Sequence, residues 1–187
     1  FHFDSSAMQF FSAKSLLYLR VVFLSVITFY SFKDASAIAN AGFTLLLGQA
    51  MRLPLVIVEA DNPVYGTVGL VFGSLVLGEV VPLVTDNVEY FDDVVPMRLL
   101  AYFLLALYSV LGSSAFLCNN LVFTYAFFEI WFNFLIFNNL RDERFTRMKK
   151  VVQEAQDKGE IDLQGMDQDA VNELTKELLK QLRSGQK

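Results

Sequence analysis

Four long apolar runs dominate the pattern of hydrophobic and polar positions along the chain. They cover about residues 15–32, 64–84, 97–117 and 121–140, each 18–21 residues long. A helix of that length rises about 27–32 Å, which matches the roughly 30 Å hydrocarbon core of a bilayer. Backbone groups inside lipid must be satisfied within their own segment, so such runs predict helices. The pattern predicts an all-α membrane protein, with a bundle of four transmembrane helices in residues 1–140.

The connections between these runs are short and polar. Residues 85–93, TDNVEYFDD, have the composition of a solvated acidic connector. Pro96 then suits the first turn of the third span, because the N–H that proline lacks would have no helical partner there. Asn119 and Asn120 predict a tight hairpin before the last span.

A further apolar segment, residues 37–58, is interrupted. Gln49 and Arg52 break its apolar character, and Pro54 removes a helical hydrogen-bond donor. We expect a short helix that ends near Arg52 and is re-entrant or interfacial. A continuous crossing would instead give five spans and reverse the side on which the N-terminus lies.

Residues 141–187 form a charged tail. Its first ten residues, RDERFTRMKK, hold five basic side chains, which the positive-inside rule places in the cytosol. Such a cluster can also contact anionic lipid headgroups, although topology alone accounts for it. A second helix is predicted at about residues 170–183. Its apolar stripe, at helical spacing on an otherwise charged helix, predicts packing against a partner or this chain; it consists of Val171, Leu174, Leu178 and Leu182.

Composition supports this division and excludes several functions. Of 187 residues 54% are hydrophobic, and 20 of the 35 charged residues lie in residues 141–187. The net charge of −5 argues against a nucleic-acid partner, which requires a basic face. One cysteine and one histidine exclude an internal disulfide and a Cys/His metal site, and we expect no cofactor.

Three charged residues fall well inside the predicted spans: Arg20, Glu79 and Glu129. A charge at the bilayer centre costs about 2.5–3.5 kcal/mol on insertion scales, so such residues are expected to have partners. Arg20 and Glu79 would lie near the same leaflet in the four-span arrangement, where they would either pair or extend separately to the headgroups. Five spans would place them on opposite sides.

Glu129 lies too deep to reach the headgroups. Tyr125, Glu129 and Asn133 fall at i, i+4 and i+8, so they share one helix face that should point into the bundle or at a partner. Three interpretations remain open: a structural hydrogen-bonding group, part of a polar path for an ion or headgroup, or a catalytic acid or base. No accompanying nucleophile or metal site supports the third.

Glycines mark a candidate packing face. Gly69 and Gly73 form a GxxxG pair in the second span, a motif that lets two helix backbones approach closely. Glycine is also common in membrane helices without this role.

The chain resembles the fungal "increased loss of mitochondrial DNA" protein family over roughly residues 15–143. One matching element joins Gln49–Met51 to Leu53 and Pro54, and a second is VVPMRLL at residues 94–100. The third and most specific comprises Asn119, Asn120, Val122, Phe123, Tyr125, Glu129, Trp131, Asn133, Phe134, Leu135, Asn138, Arg141 and Glu143. The resemblance implies a small multi-pass protein of the endoplasmic reticulum membrane and implies no enzymatic activity.

These observations together predict a non-enzymatic accessory or scaffold subunit of a larger endoplasmic reticulum complex. A lipid-transfer or lipid-synthesis assembly would connect that membrane indirectly to mitochondrial maintenance, with lipids as further partners. The alternative is a small ion channel or transporter that uses a polar path at Glu129. A lipid-modifying enzyme is the third hypothesis, and it lacks a recognisable site.

Overall fold

A computed structural model describes residues 12–59 and 62–157 of the chain. It confirms the all-α membrane fold class. The helices are α1 (Ala13–Lys33), α2 (Ala35–Ala39), α3 (Gly42–Ala50), α4 (Val64–Val84), α5 (Val88–Leu111) and α6 (Asn120–Asp157). Within the described residues, four of them are long and apolar enough to cross a membrane: α1, α4, α5 and α6.

The segment between α1 and α4 contains two short helices. Asp34 ends α1 and caps α2, because its side chain accepts a hydrogen bond from the Ser36 N–H. The nine residues of α3 rise only about 14 Å, less than half of a hydrocarbon core. After Arg52, residues 53–59 form neither helix nor strand. Neither helix has the length that a fifth crossing needs.

Helices α1 and α4 pack side by side in opposite directions. Lys14 pairs with Asp86 at 2.7 Å near one end, and Phe32 lies against Gly69 near the other. A Cβ at Gly69 would lie 3.1 Å from the Phe32 ring, whereas a Cβ at Gly73 would meet the Thr28 methyl at 3.6 Å. The GxxxG face of α4 is therefore occupied by side chains of α1 from the same chain.

Helix α5 begins earlier than the hydropathy pattern predicts. Asn87 caps it by accepting the Tyr90 N–H at 3.2 Å, so the predicted acidic connector shrinks to three residues, 85–87. Pro96 lies inside the helix rather than in its first turn. The first two turns of α5 contain polar residues, so a hydropathy criterion places the start of the helix too late. An asparagine cap and an acidic first turn are the local signals that mark its true start.

The same helix ends earlier than predicted, at Leu111 instead of about residue 117. Gly112 adopts an extended ψ of 177°, which stops the helix. A side chain there would be crowded, because a Cβ would lie 2.6 Å from the Tyr108 carbonyl oxygen and 3.0 Å from the Cys118 sulfur. Residues 112–119 then lead into α6.

Helix α6 touches α1, α3, α4 and α5. Its rings meet Phe23 of α1, Phe43 of α3, Phe72 of α4 and Tyr102 of α5 at centroid distances of 5.0–5.7 Å. At its start, Asn120 accepts the Val56 N–H at 2.9 Å and donates its own N–H to the Pro54 carbonyl at 3.1 Å. Asn119 and Asn120 thus begin a helix rather than form only a hairpin turn.

The chain divides into two compact units, Phe1–Asn139 and Leu140–Lys187. Helix α6 contributes residues to both and continues to Asp157. The predicted amphipathic helix at residues 170–183, with its stripe of Val171, Leu174, Leu178 and Leu182, lies outside the described residues.

Candidate functional site

A buried polar network joins the four long helices of the first unit. It is built around two arginines and two glutamates, with two tyrosines and an asparagine hydrogen-bonded to them. We call it the polar network; its members are Arg20, Glu79, Arg98, Tyr102, Tyr125, Glu129 and Asn133.

Glu129 lies at the centre of the polar network and has an exposed fraction of 0%. Its Oε2 accepts from Arg20 Nε at 2.9 Å and from Asn133 Nδ2 at 2.9 Å. Its Oε1 accepts from Arg20 Nη2 at 3.1 Å and from the Tyr125 hydroxyl at 3.0 Å. Both carboxylate oxygens therefore have two partners, and the fork of Arg20 binds them in the bidentate geometry that favours arginine over lysine.

Arg20 is buried and bridges two carboxylates on different helices. Besides Glu129 of α6, its Nη1 lies 2.6 Å from Glu79 Oε2 of α4. The direction of this second contact is poor for a hydrogen bond, so it acts as an ion pair. The sequence left open whether Arg20 and Glu79 pair, and the structure brings them together.

Helix α5 completes the polar network with a second arginine. Arg98 forms an ion pair with the other oxygen of Glu79, Oε1, and its Nη2 donates to the Tyr90 hydroxyl at 3.4 Å. Glu79 is buried, whereas the Arg98 side chain is 23% exposed. Glu79 is thus held between arginines of α1 and α5.

A chain of hydroxyl groups leads to Glu129 from α5. The hydroxyls of Tyr102 and Tyr125 are 3.1 Å apart. Because Tyr125 donates its only hydroxyl proton to Glu129 Oε1, its oxygen must accept from Tyr102. The order of donation is therefore Tyr102 to Tyr125 to Glu129.

The charges of the polar network balance. Two arginines and two glutamates sum to zero, which lowers the cost of burying them in a medium of low dielectric constant. Removing any one of the four would leave an uncompensated buried charge, whereas removing an oppositely charged pair would not. These ion pairs specify which helices are neighbours and at which depth in the membrane their side chains meet.

The polar network contains all five polar residues that the sequence singled out: Arg20, Glu79, Tyr125, Glu129 and Asn133. Sequence reasoning missed Arg98 and Tyr102. The predicted third span began at about residue 97, which placed Arg98 at a boundary where a charge needs no partner. With α5 beginning at Val88, Arg98 lies ten residues inside the helix.

The chemistry available to these groups is limited by their pairing. Each carboxylate faces a guanidinium, and no hydroxyl of the polar network faces a free base. Among the residues that the structure describes, no three His, Cys, Asp or Glu side chains form a group that could hold a metal ion. The geometry is that of a structural ion-pair cluster.

Comparison with known proteins assigns the chain to a family. The family described as "Increased loss of mitochondrial DNA protein 1" (Ilm1) matches residues 11–150. The chain belongs to this family. The resemblance inferred from the sequence is confirmed, and membership ties the chain to mitochondrial DNA maintenance. The match contains every residue of the polar network.

Two relatives have this family name. Protein ILM1 of Saccharomyces cerevisiae is 36% identical over 146 residues, which are 78% of this chain and 72% of the relative. Protein ilm1 of Schizosaccharomyces pombe is 30% identical over 115 residues, which are 60% of this chain and 70% of the relative. No solved structure matches the chain.

Proposed function

We propose that the chain is a non-enzymatic accessory subunit of a larger endoplasmic reticulum membrane complex. The observation that carries this proposal is the saturation of Glu129, whose two carboxylate oxygens each have two partners within the bundle. A carboxylate so engaged maintains the arrangement of helices. An accessory subunit needs such a rigid body and needs no reactive group.

The same geometry weighs against an ion path at Glu129. A transported cation would have to compete with Arg20 for both oxygens of a carboxylate that is 0% exposed. Breaking that bidentate pair would leave Arg20 with Glu79 as its only carboxylate partner, and typical buried pairs cost about 3–5 kcal/mol to break. We therefore place the channel or transporter second.

The irregular segment of residues 53–59 offers a surface for a protein partner. The Pro54 carbonyl accepts a hydrogen bond from the Asn120 N–H, and the Val56 N–H donates to Asn120 Oδ1. Within the described part of the chain the backbone groups of Leu55 and Ile57 make no hydrogen bond. Ile57 is 91% exposed.

Backbone groups without partners in the described residues can pair with an extended segment of another protein. An unpaired row of N–H and C=O groups is a template for strand addition, and β-branched residues such as Val56, Ile57 and Val58 favour it. Lipid offers no hydrogen bonds to these groups, so their partner would be water or a protein.

The proposed location follows from charge distribution and family resemblance. The five basic residues among 141–150 support a cytosolic side for the tail by the positive-inside rule. A lipid-transfer or lipid-synthesis assembly is the host we propose, because lipid supply from this membrane would explain an indirect effect on mitochondrial DNA.

Purification of the natively expressed chain in mild detergent tests the proposal, with quantitative mass spectrometry of the copurifying proteins. We expect at least one stoichiometric partner. Ile57→Pro, which removes an N–H without a partner in the described residues, should lose that partner protein, and Ile57→Ala, which keeps the N–H, should retain it. A monomer without a stoichiometric partner contradicts the accessory role, and equal retention in both variants contradicts pairing at this segment.

Ion flux into proteoliposomes tests the second candidate. A flux that the purified chain supports and that Glu129→Gln abolishes would favour the channel over the accessory subunit. We expect no flux above that of empty liposomes.

A further inference from the structure

The part of α6 that lies in the second unit has a basic and aromatic face. Arg141, Phe145 and Lys149 recur at i, i+4 and i+8 and all three are exposed. At 100° per residue they fall within an arc of about 80°. The Lys149 Nζ lies 4.6 Å from the centre of the Phe145 ring, a cation–π contact. We call these three residues the basic–aromatic face.

By helical angle, both acidic side chains among residues 141–150 lie outside the face. Glu143 lies about 200° around the helix from Arg141, on the opposite side, where Arg147 Nε donates to its backbone carbonyl. Asp142 lies about 60° from Phe145 in angle and about 4.5 Å from it along the axis, at one edge of the face. The basic–aromatic face therefore presents two cations and an aromatic ring, with one acidic residue at its edge.

The position of the face along the chain matches the headgroup layer. The last apolar run ends at Leu140, directly before Arg141. By helical rise Arg141 and Phe145 lie about 1.5 and 7.5 Å past that point, within the roughly 5–8 Å headgroup layer of one leaflet. A Phe ring that is 56% exposed is unfavourable in water and well suited to this interface.

We propose that the basic–aromatic face binds the headgroups of anionic phospholipids. Arg141 supplies the planar fork that binds phosphate oxygens in pairs, and Lys149 supplies a mobile point charge farther out. Phe145 lies between them, in the outer part of the headgroup layer. The positive charge of the face complements an anionic leaflet, which identifies anionic phospholipids as the ligand. In water the exposed Phe145 ring would be unfavourable, so its exposure also favours a lipid interface.

Two matched double variants test whether the face or only the total charge matters. Arg141→Gln with Lys149→Gln removes two charges from the face. Arg147→Gln with Lys150→Gln removes two charges from other sides of the same ten residues. The full chain is reconstituted in nanodiscs with equal phosphatidylcholine and phosphatidylserine, and native mass spectrometry measures which lipid stays bound.

We expect the wild type to retain phosphatidylserine preferentially. The first double variant should lower that preference about thirtyfold, since it removes two basic residues that each contribute on the order of one kcal/mol near an anionic surface, while the second leaves it nearly unchanged. Equal losses in both variants would mean a general charge effect and overturn the proposal. An unchanged preference in the first variant would overturn it as well.

Two further arms separate a bilayer lipid from a soluble anion. Phe145→Ala should weaken phosphatidylserine retention although all charges remain, because the ring contributes only at a bilayer. Inorganic phosphate in excess should not displace the lipid; full displacement would identify a soluble-anion site and contradict the proposal. The purified chain needs no partner protein in these experiments, so their outcome is independent of whether the accessory-subunit proposal holds.

Discussion

At the scale of single residues, Glu129 has some partners that the sequence can predict and one that only the structure reveals. Its depth in an apolar run demands a partner, since an unpaired charge there is costly. Helical spacing identifies Tyr125 and Asn133, because they lie on the same helix. Arg20 is 109 positions away, and no local pattern relates the two. The pairing depends on which helices are neighbours, which is a property of the fold.

Charge balance in the polar network gives a prediction about Arg20 and Glu129. Glu129→Gln leaves the network with one excess positive charge, and Arg20→Met leaves it with one excess negative charge. Each should lower the free energy of unfolding by about 3–5 kcal/mol, the range for breaking a buried ion pair. The double variant restores neutrality, because Glu79 keeps Arg98. It should be more stable than either single variant.

Unfolding of the purified chain in mild detergent, titrated with a denaturing detergent and followed by circular dichroism, measures the three free energies. Lys14→Met is a suitable control, since the Lys14–Asp86 pair is exposed and such pairs contribute about 0–1 kcal/mol. Additive losses in the double variant would show that Arg20 and Glu129 act independently.

A second residue-scale prediction concerns Asp34, which lies just past the end of α1. Hydrogen bonds from the Ser36 side chain, and then from backbone N–H groups, hold the pKa of the Asp34 carboxyl below its ordinary value of 3.8. A lowered folded pKa means that this stabilisation is present above the unfolded pKa and is lost as the pH falls through the folded pKa. The cap of α2 should therefore persist to pH values below about 3.9.

Carboxyl carbon shifts of Asp34, followed by NMR in detergent micelles, measure its titration midpoint. Ser36→Ala removes the side-chain donor and keeps the backbone N–H, so the midpoint should move up towards the ordinary value. The same midpoint in both proteins would show that the serine hydroxyl is not the main cause.

At the scale of elements, hydropathy located the long helices better than their ends. The centres of all four predicted spans lie in helices of the structure, because about 18 apolar residues leave few alternatives. The ends of α5 differ because Asn87 and Gly112, not hydrophobicity, determine them. Helix α6 continues beyond its apolar run, since RDERFTRMKK contains no Gly or Pro to stop it.

The close approach of α3 to the start of α6 gives an element-scale prediction. A Cβ at Gly48 would lie 2.6 Å from the Asn120 Cβ and 3.4 Å from a Leu55 methyl carbon. Gly48→Ala should therefore separate α3 from α6 and destabilise the fold by about 1–3 kcal/mol, as overpacking does. Gly42→Ala, in the same helix, meets nothing within 4 Å and should be tolerated.

Thermal unfolding of the two variants in the same detergent provides the comparison. Loss of the Asn120 contact should also appear as faster amide exchange at Val56, whose N–H is bonded to Asn120 Oδ1. If Gly48→Ala is as stable as Gly42→Ala and Val56 stays protected, the segment tolerates the extra methyl group and the packing is looser than these distances imply.

At the scale of the whole molecule, the four long helices of the first unit are joined by charges as well as by packing. Apolar contact distinguishes poorly between a helix neighbour and lipid, whereas an ion pair or hydrogen bond does so strongly. The antiparallel match of α1 with α4 brings Arg20 to the height of Glu79, and α6 supplies Glu129 there. A few polar residues therefore determine which helices are neighbours, and many apolar residues supply the contact area between them.

The order of the helices predicts a topology that cysteine labelling can test in sealed membrane vesicles from the expressing cells. With Cys118→Ser as background, three exposed positions are changed singly: Glu89→Cys, Glu59→Cys and Asn40→Cys. If α1, α4, α5 and α6 are the only crossings and the tail is cytosolic, Glu89 lies on the cytosolic side. An impermeant maleimide should then label Glu89→Cys in intact vesicles, and the other two only after permeabilisation.

A fifth crossing within residues 37–58 would move Asn40 to the cytosolic side and leave the other two unchanged. Labelling of Asn40→Cys in intact vesicles would thus contradict the four-span topology. It would also contradict the Arg20–Glu79 pair, because the two residues would then lie near opposite leaflets.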